Sequence, residues 1–190
     1  EKESIEQDAF TGDWYPEPCN DPLSFETEQR FVAVEKEPQD TDVWRVAIFM
    51  SPLDVHVNRA PFASTIIAME HRTGKGRRRG PFAPAFRKES EYNERVRTIF
   101  ESEDGKRVEV MQISGALART IIPWKGIGDT LRRGERYGMI RLGSRVDVRA
   151  PAAYYEPQVT PADAQDPRFP KGQFVKAGSD IIFKRILEEE

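Results

Sequence analysis

Short runs rich in Val, Ile, Phe and Thr, each soon stopped by glycine, proline or a polar cluster, constrain this chain more than any other feature. The runs are Arg30–Glu35, Val43–Met50, Phe62–His71, Arg95–Glu101, Arg107–Ile113, Leu117–Ile122, Arg145–Arg149 and Gln173–Lys184. Alternation within them is partial, and no long stripe of helical period accompanies them. Only Ser90–Val96 hints at helix. Such a chain must bury its apolar faces by stacking or curling sheets, so the expected fold is mostly β, a barrel or sandwich with little helix. Glu103-Asp104-Gly105 predicts a hairpin between two of the runs. Gly126-Ile127-Gly128-Asp129 and Arg133-Gly134-Glu135 predict further tight turns, and the prolines at 151, 157, 161, 167 and 170 predict a loop over 150–172. Residues 1–29 are polar and broken by Pro16, Pro18 and Pro22, which reads as an extended arm before one β domain over 30–190.

Composition narrows the chemistry. One cysteine excludes an intramolecular disulfide and a CxxC pair, and two histidines, His56 and His71, exclude a three-histidine metal site. No metal is expected. Charge is divided along the chain: residues 1–42 hold 13 acidic and 3 basic residues, a net of −10, whereas 43–190 hold 19 acidic and 26 basic, a net of +7. The basic stretch is densest at Arg72, Lys75, Arg77, Arg78, Arg79, Arg87 and Lys88, spaced by Gly74, Gly76 and Gly80. Such a loop suits anionic lipid head groups, or is simply a solvated loop. A pI near 5.6 without an aromatic-rich basic stripe argues against a nucleic acid partner. No run approaches the roughly 18 apolar residues of a membrane-spanning helix, no signal peptide is visible, and the lone cysteine fits an intracellular protein.

Two phrases carry candidate chemistry. In Phe49-Met50-Ser51-Pro52-Leu53-Asp54-Val55-His56-Val57-Asn58-Arg59-Ala60-Pro61 a strand runs into a proline-bounded loop, and alternation puts Asp54, His56 and Asn58 on one face. That trio is either a site or a hydrogen-bonded turn with a structural histidine. The second phrase, Gly138-Met139-Ile140-Arg141-Leu142-Gly143-Ser144-Arg145-Val146-Asp147, contains a Gly-Ser pair. It is not a nucleophile elbow, because Leu142 and Val146 stand where glycines are needed and no helix follows. Gly126-Ile127-Gly128-Asp129-Thr130-Leu131-Arg132-Arg133-Gly134 resembles a G-D-x-V-x-x-G turn, and Gly172–Gly178 repeats it with Gln173 for the aspartate. Two copies suggest a swapped-strand barrel with lipoyl-domain-like turns. No lysine sits in a carrier hairpin setting, so a lipoyl or biotinyl carrier is not expected.

Together these phrases resemble the phosphatidylserine decarboxylase family, in its short archaeal and bacterial class. The resemblance rests on the block at 49–61, Gly74-Lys75, Phe82-Ala83-Pro84-Ala85-Phe86, Asn93-Glu94-Arg95, Gln112-Ile113-Ser114-Gly115-Ala116-Leu117-Ala118-Arg119, Arg133–Ile140, Gly143–Asp147 and Val175-Lys176-Ala177-Gly178. It implies a proenzyme cut between Gly143 and Ser144, giving a β chain 1–143 and an α chain 144–190, with Ser144 converted to a pyruvoyl cofactor. It implies a pyruvoyl-dependent carboxy-lyase acting on phosphatidylserine or archaetidylserine, with His56 delivering a proton or positioning the carboxylate and Asp54 orienting it. Asn58 and Arg59 would bind the substrate. Most members carry Ala-Asp-Gly before this block, where this chain has Thr27-Glu28-Gln29, so Glu28 would supply the self-cleavage carboxylate. The alternatives are a decarboxylase of a soluble amino acid, or an unprocessed, non-catalytic relative that binds lipid or a partner. The expected setting is cytoplasmic, peripheral on the inner face of the cell membrane through Arg77, Arg78 and Arg79, and compatible with a homodimer.

Overall fold

A computed structural model describes residues 2–4, 42–72, 93–115, 120–141, 143–160 and 172–186. The arm beyond Ser4, with Glu28, the run Arg30–Glu35 and the basic residues Arg77, Arg78 and Arg79 lie outside the described residues. Twelve strands and no helix are found among the described residues. They are β1 (Lys2–Ser4), β2 (Asp42–Met50), β3 (Val57–Arg59), β4 (Ser64–Arg72), β5 (Arg95–Glu101), β6 (Arg107–Ile113), β7 (Ile121–Pro123), β8 (Thr130–Leu131), β9 (Arg136–Ile140), β10 (Ser144–Pro151), β11 (Tyr155–Pro157) and β12 (Phe183–Arg185).

Seven strands form one antiparallel sheet in the order β1-β2-β10-β6-β5-β4-β8. A second antiparallel sheet runs β3-β9-β7, and β11 pairs with β12. The mostly-β expectation holds. The described sheets are open rather than closed into a barrel: β1 and β8 are the unjoined ends of the large sheet.

Period-two alternation decides which face is buried. Val96 and Phe100 on β5, Val108 and Val110 on β6, and Val146, Val148 and Ala150 on β10 face one core. Tyr137 and Ile140 on β9 and Ile121 on β7 close it from the small sheet. The Tyr137 ring meets Phe100 edge-on, with centroids 5.0 Å apart. Tyr137 is fully buried, and desolvation pushes its phenol far above the usual range. A polar tie joins the two sheets as well: Gln112 Nε2 on β6 donates to Asn58 Oδ1 on β3 at 2.6 Å. Gly138 on β9, paired with Asn58, makes room for it, since a Cβ there would lie 3.4 Å from Gln112 Nε2 and 3.0 Å from the Ile122 carbonyl oxygen. The opposite face of the large sheet is ionic. Buried Glu109 on β6 accepts from Arg97 on β5 at 2.9 Å and from Arg149 on β10 at 3.1 Å.

The predicted hairpin closes β5 onto β6 through Glu103-Asp104-Gly105, with Gly105 at φ 81°. Three expectations need correction. Of the run Gln173–Lys184 only Phe183 and Lys184, the start of β12, are strand. Asp180 Oδ2 accepts from the Lys176 N–H at 2.8 Å and Gly178 sits at φ 80°, so a locally bonded turn wins over β propensity. The helical hint at Ser90–Val96 fails where it is described: β5 begins at Arg95, and Glu94 C=O accepts from Ser114 N–H at 2.9 Å, extending the β5–β6 ladder. The loop expected over 150–172 contains the end of β10 and the short β11.

Candidate functional site

The site forms where β2 ends beside the start of β10. Register pairs Met50 with Ser144. From Met50 the chain enters a turn whose Pro52 favours the needed backbone angle. Asp54 N–H donates to the Ser51 carbonyl at 3.0 Å, and Asp54 Oδ2 accepts from the Ser51 N–H at 2.7 Å. Hydrogen bonding from the Ser51 side chain, and then from its N–H, holds the Asp54 carboxyl below its ordinary range, with a smaller contribution from His56. The turn returns the chain at His56, whose carbonyl accepts from Ile140 N–H at 3.1 Å and so starts the β3–β9 pairing.

The His56 ring is fixed at both nitrogens. Nδ1 lies 2.8 Å from the Asp54 main-chain carbonyl, and Nε2 accepts from the Gly143 N–H at 2.9 Å. A carbonyl can only accept and an amide N–H can only donate, so the bonds specify one neutral tautomer with its proton on Nδ1. Gly143 stands at φ 64°, a left-handed conformation that favours glycine. Arg141 N–H donates to Thr120 C=O at 2.9 Å. With Ile140–His56 and Gly143–His56, that bond pins the turn leading to Ser144 at three points.

Ser144 is 0% exposed, and its hydroxyl has no hydrogen-bond partner. Leaving a buried hydroxyl unpaired costs about 1–3 kcal/mol. It is not isolated. The β10–β6 register sets Arg145 against Ile113, so one step further Ser114 stands opposite Ser144. The Ser114 hydroxyl and Gln112 Oε1 are likewise buried and unpartnered. Three unpaired polar groups therefore sit on the core face at this end of the sheet. Beyond them, on the other face, Arg145 pairs with buried Asp147, Nη2 donating to Oδ2 at 3.0 Å. Desolvation raises the Asp147 carboxyl, against the pull of Arg145, Arg45 and Arg149.

The anticipated residues are thus only partly gathered. His56, Gly143 and Ser144 come together. Asp54 meets His56 through its backbone carbonyl, while its carboxylate is turned to Ser51. Asn58 is buried on Gln112, and Arg59 Nη1 donates to the Gly134 carbonyl at 2.9 Å, so both tie strands together. Ser114 and Gln112 belong to the site's polar floor, a role the motif Gln112–Arg119 did not disclose. No group of three or more His, Cys, Asp or Glu among the described residues could hold a metal ion. No helix among them is long and apolar enough to cross a membrane.

Comparison with known proteins bears on this geometry. The family model for phosphatidylserine decarboxylase matches residues 23–183. A phosphatidylserine decarboxylase proenzyme of Thermobifida fusca is 47% identical over 134 residues, covering 70% of this chain and 54% of that protein. One of Streptomyces griseus is 54% identical over 107 residues, covering 56% of this chain and 46% of that protein. A Methanococcoides burtonii protein, provisionally named an archaetidylserine decarboxylase proenzyme, is 37% identical over 155 residues, covering 82% of this chain and 66% of that protein. The chain spans about half the length of the first two relatives. No solved structure matches it significantly.

Proposed function

The chain belongs to the phosphatidylserine decarboxylase family, and on that premise we propose that it is a self-cleaving, pyruvoyl-dependent decarboxylase of a serine phospholipid. The observation that carries the reading is the juxtaposition of a left-handed Gly143, a buried unpaired Ser144 hydroxyl and a His56 ring bonded to the Gly143 amide. Those features suit a cofactor made from the chain itself: the serine is shielded from water, and no partner competes for its oxygen.

In the cleavage step Ser144 Oγ attacks the Gly143 carbonyl carbon. The C–N bond breaks as the ester forms, and the hydroxyl proton passes to the released Ser144 amine. Loss of the Ser144 Cα proton then breaks the Cβ–Oγ bond, releasing Gly143 as a carboxylate and leaving dehydroalanine. Tautomerisation and addition of water expel ammonia and leave the pyruvoyl carbonyl. His56 acts first as a positioning residue. With Gly143 N held and φ set, only ψ remains free to aim the scissile carbonyl. Glu28 is the proposed carboxylate for this step.

The pyruvoyl group supplies an electron sink for the carbanion left when CO2 departs. Once Gly143 is a free terminus, Nε2 loses its tethered partner and can carry a proton at that position. Asp54 keeps the ring aligned through its carbonyl. Ser114 and Gln112 offer polar atoms to a polar head group, while Asn58 and Arg59 hold the strands around it. The protein acts peripherally at the inner face of the cell membrane, where its substrate lies, with Arg77, Arg78 and Arg79 as an anionic-lipid contact.

Intact-mass measurement tests the reading. Two fragments, with the second beginning at residue 144 and carrying a pyruvoyl mass, are expected together with CO2 release from phosphatidylserine vesicles. An active preparation containing only uncut chain would refute it. Release of CO2 from free serine but not from the lipid would select the soluble-substrate alternative.

A further inference from the structure

The loop that carries His56 also carries the most exposed apolar side chains near the site. Leu53 is 98% exposed and Val55 58%, and Phe49, at the end of β2, is 51% exposed. Pro52 between them is exposed too. Scattered exposed apolar residues are ordinary on a soluble surface. Here they fall within seven successive positions, 49–55, on the one loop that frames the Gly143–Ser144 bond. Ile48 and Met50 pack on the core, so β2 is seated while Phe49 and the following turn project. The turn is not loose: two hydrogen bonds between Ser51 and Asp54 fold the only charge in the loop back onto its own backbone. Next to Ile140, whose N–H bonds the His56 carbonyl at the end of this loop, stands Arg141, an exposed cation two residues before Gly143. An apolar tip with a cation near its base is the arrangement that seats an element at the boundary between head groups and acyl chains.

We propose that the Phe49–Val55 loop is the membrane-docking edge of the protein. Leu53 and Val55, with Phe49 beside them, enter the apolar boundary of a phospholipid bilayer, and Arg141 stays at the level of the phosphates. The choice of a bilayer as partner rests on the lipid-decarboxylase reading, because a site that acts on a bilayer lipid must reach the lipid where it lies. The consequence is geometric. The element that enters the membrane is the same turn that positions His56, so docking brings the cut end of β10 to the head-group layer.

The test uses the full chain and vesicles of phosphatidylglycerol and phosphatidylethanolamine, which contain no substrate, at high salt to suppress the basic loop's contribution. Leu53→Ser combined with Val55→Ser should lower vesicle affinity about tenfold or more. Self-cleavage by intact mass, and turnover of a short-chain phosphatidylserine below its micelle concentration, should stay unchanged. In a second variant, Leu53→Trp, the added emission should shift to the blue on vesicle addition and be quenched by brominated acyl chains. Undiminished vesicle affinity of the double variant, or Leu53→Trp emission indifferent to vesicles, would overturn the proposal. So would loss of a dimer in the double variant with vesicle binding intact, which would assign the loop to a second copy of the chain. The two readings fail separately. If no variant releases CO2 yet the double variant loses vesicle binding, docking stands and the activity falls. If lipid turnover persists with unaltered binding, docking alone falls.

Discussion

His56 illustrates how much one side chain's partners constrain its chemistry. Its Nε2 accepts from Gly143 N–H only while the ring is neutral with its proton on Nδ1. A substitution that keeps an acceptor should therefore separate the two proposed roles. His56→Ala is expected to slow self-cleavage at least about tenfold, the rate equivalent of one lost hydrogen bond of about 1.4 kcal/mol. His56→Gln, whose amide oxygen can accept the Gly143 N–H, should recover part of the cleavage and none of the CO2 release. Mass spectrometry follows the first and isotopic CO2 capture the second. Equal loss in both variants would mean that His56 does not position Gly143. Asp54 gives a pH prediction. Its carboxyl titrates below the ordinary 3.8 because it accepts from the Ser51 side chain and from the Ser51 N–H, so the charged form is favoured in the fold. Its contribution to the turn is complete above 3.8 and is lost as pH falls through the lower, folded value. The Ser51 amide resonance should titrate below 3.8, and Asp54→Asn should abolish that titration.

At the scale of elements, close strand packing leaves little room. Gly138 lies under the Ile122 carbonyl and beside Gln112, and a Cβ there comes within 3.0 Å of main-chain oxygen. Gly138→Ala must shift β7 or β9, so it should cost about 1–3 kcal/mol in urea unfolding. A value near zero would mean that the small sheet slides freely over the large one. The long strands were legible in sequence because their alternation has a buried face to answer it. Arg95–Glu101 and Arg107–Ile113 have the anticipated bounds, and β2, β4 and β10 differ from theirs by one or two residues at an end. The short strands β3, β8, β9 and β11 were not. Strands of two to five residues carry too few positions to show a period, and their pairing is decided by partners distant in sequence. Asn58 makes the same point: alternation put it with Asp54 and His56, but the strand starts only at Val57, and the side chain turns to Gln112.

Across the whole molecule the large sheet has two different faces. One is an apolar core and the other an ionic ladder centred on Glu109, which is 0% exposed between Arg97 and Arg149. Removing a single partner from a buried pair leaves uncompensated charge. Because the two arginines keep some contact with water, Glu109→Ala should cost about 3 kcal/mol, near the lower end for such sites. Denaturant midpoints of the Ser144→Ala background would read this without interference from chain scission. A change below about 0.5 kcal/mol would mean that the ladder is a surface array of little consequence.

By itself the sequence determined that the chain is β-rich and that a thiol pair and a three-histidine metal site are excluded, and it singled out Gly143, Ser144 and His56, which the fold brings together. Composition, strand period and motif are local properties, readable along one dimension. Only the tertiary structure decided that Asp54 reaches His56 with its carbonyl and not its carboxylate, because a tight turn bends the acid back to Ser51. It also decided that Asn58 and Arg59 brace strands, and that Ser114 and Gln112 join Ser144 in a buried polar floor. Cross-strand register sets those neighbours, and register is a relation between segments far apart in the chain.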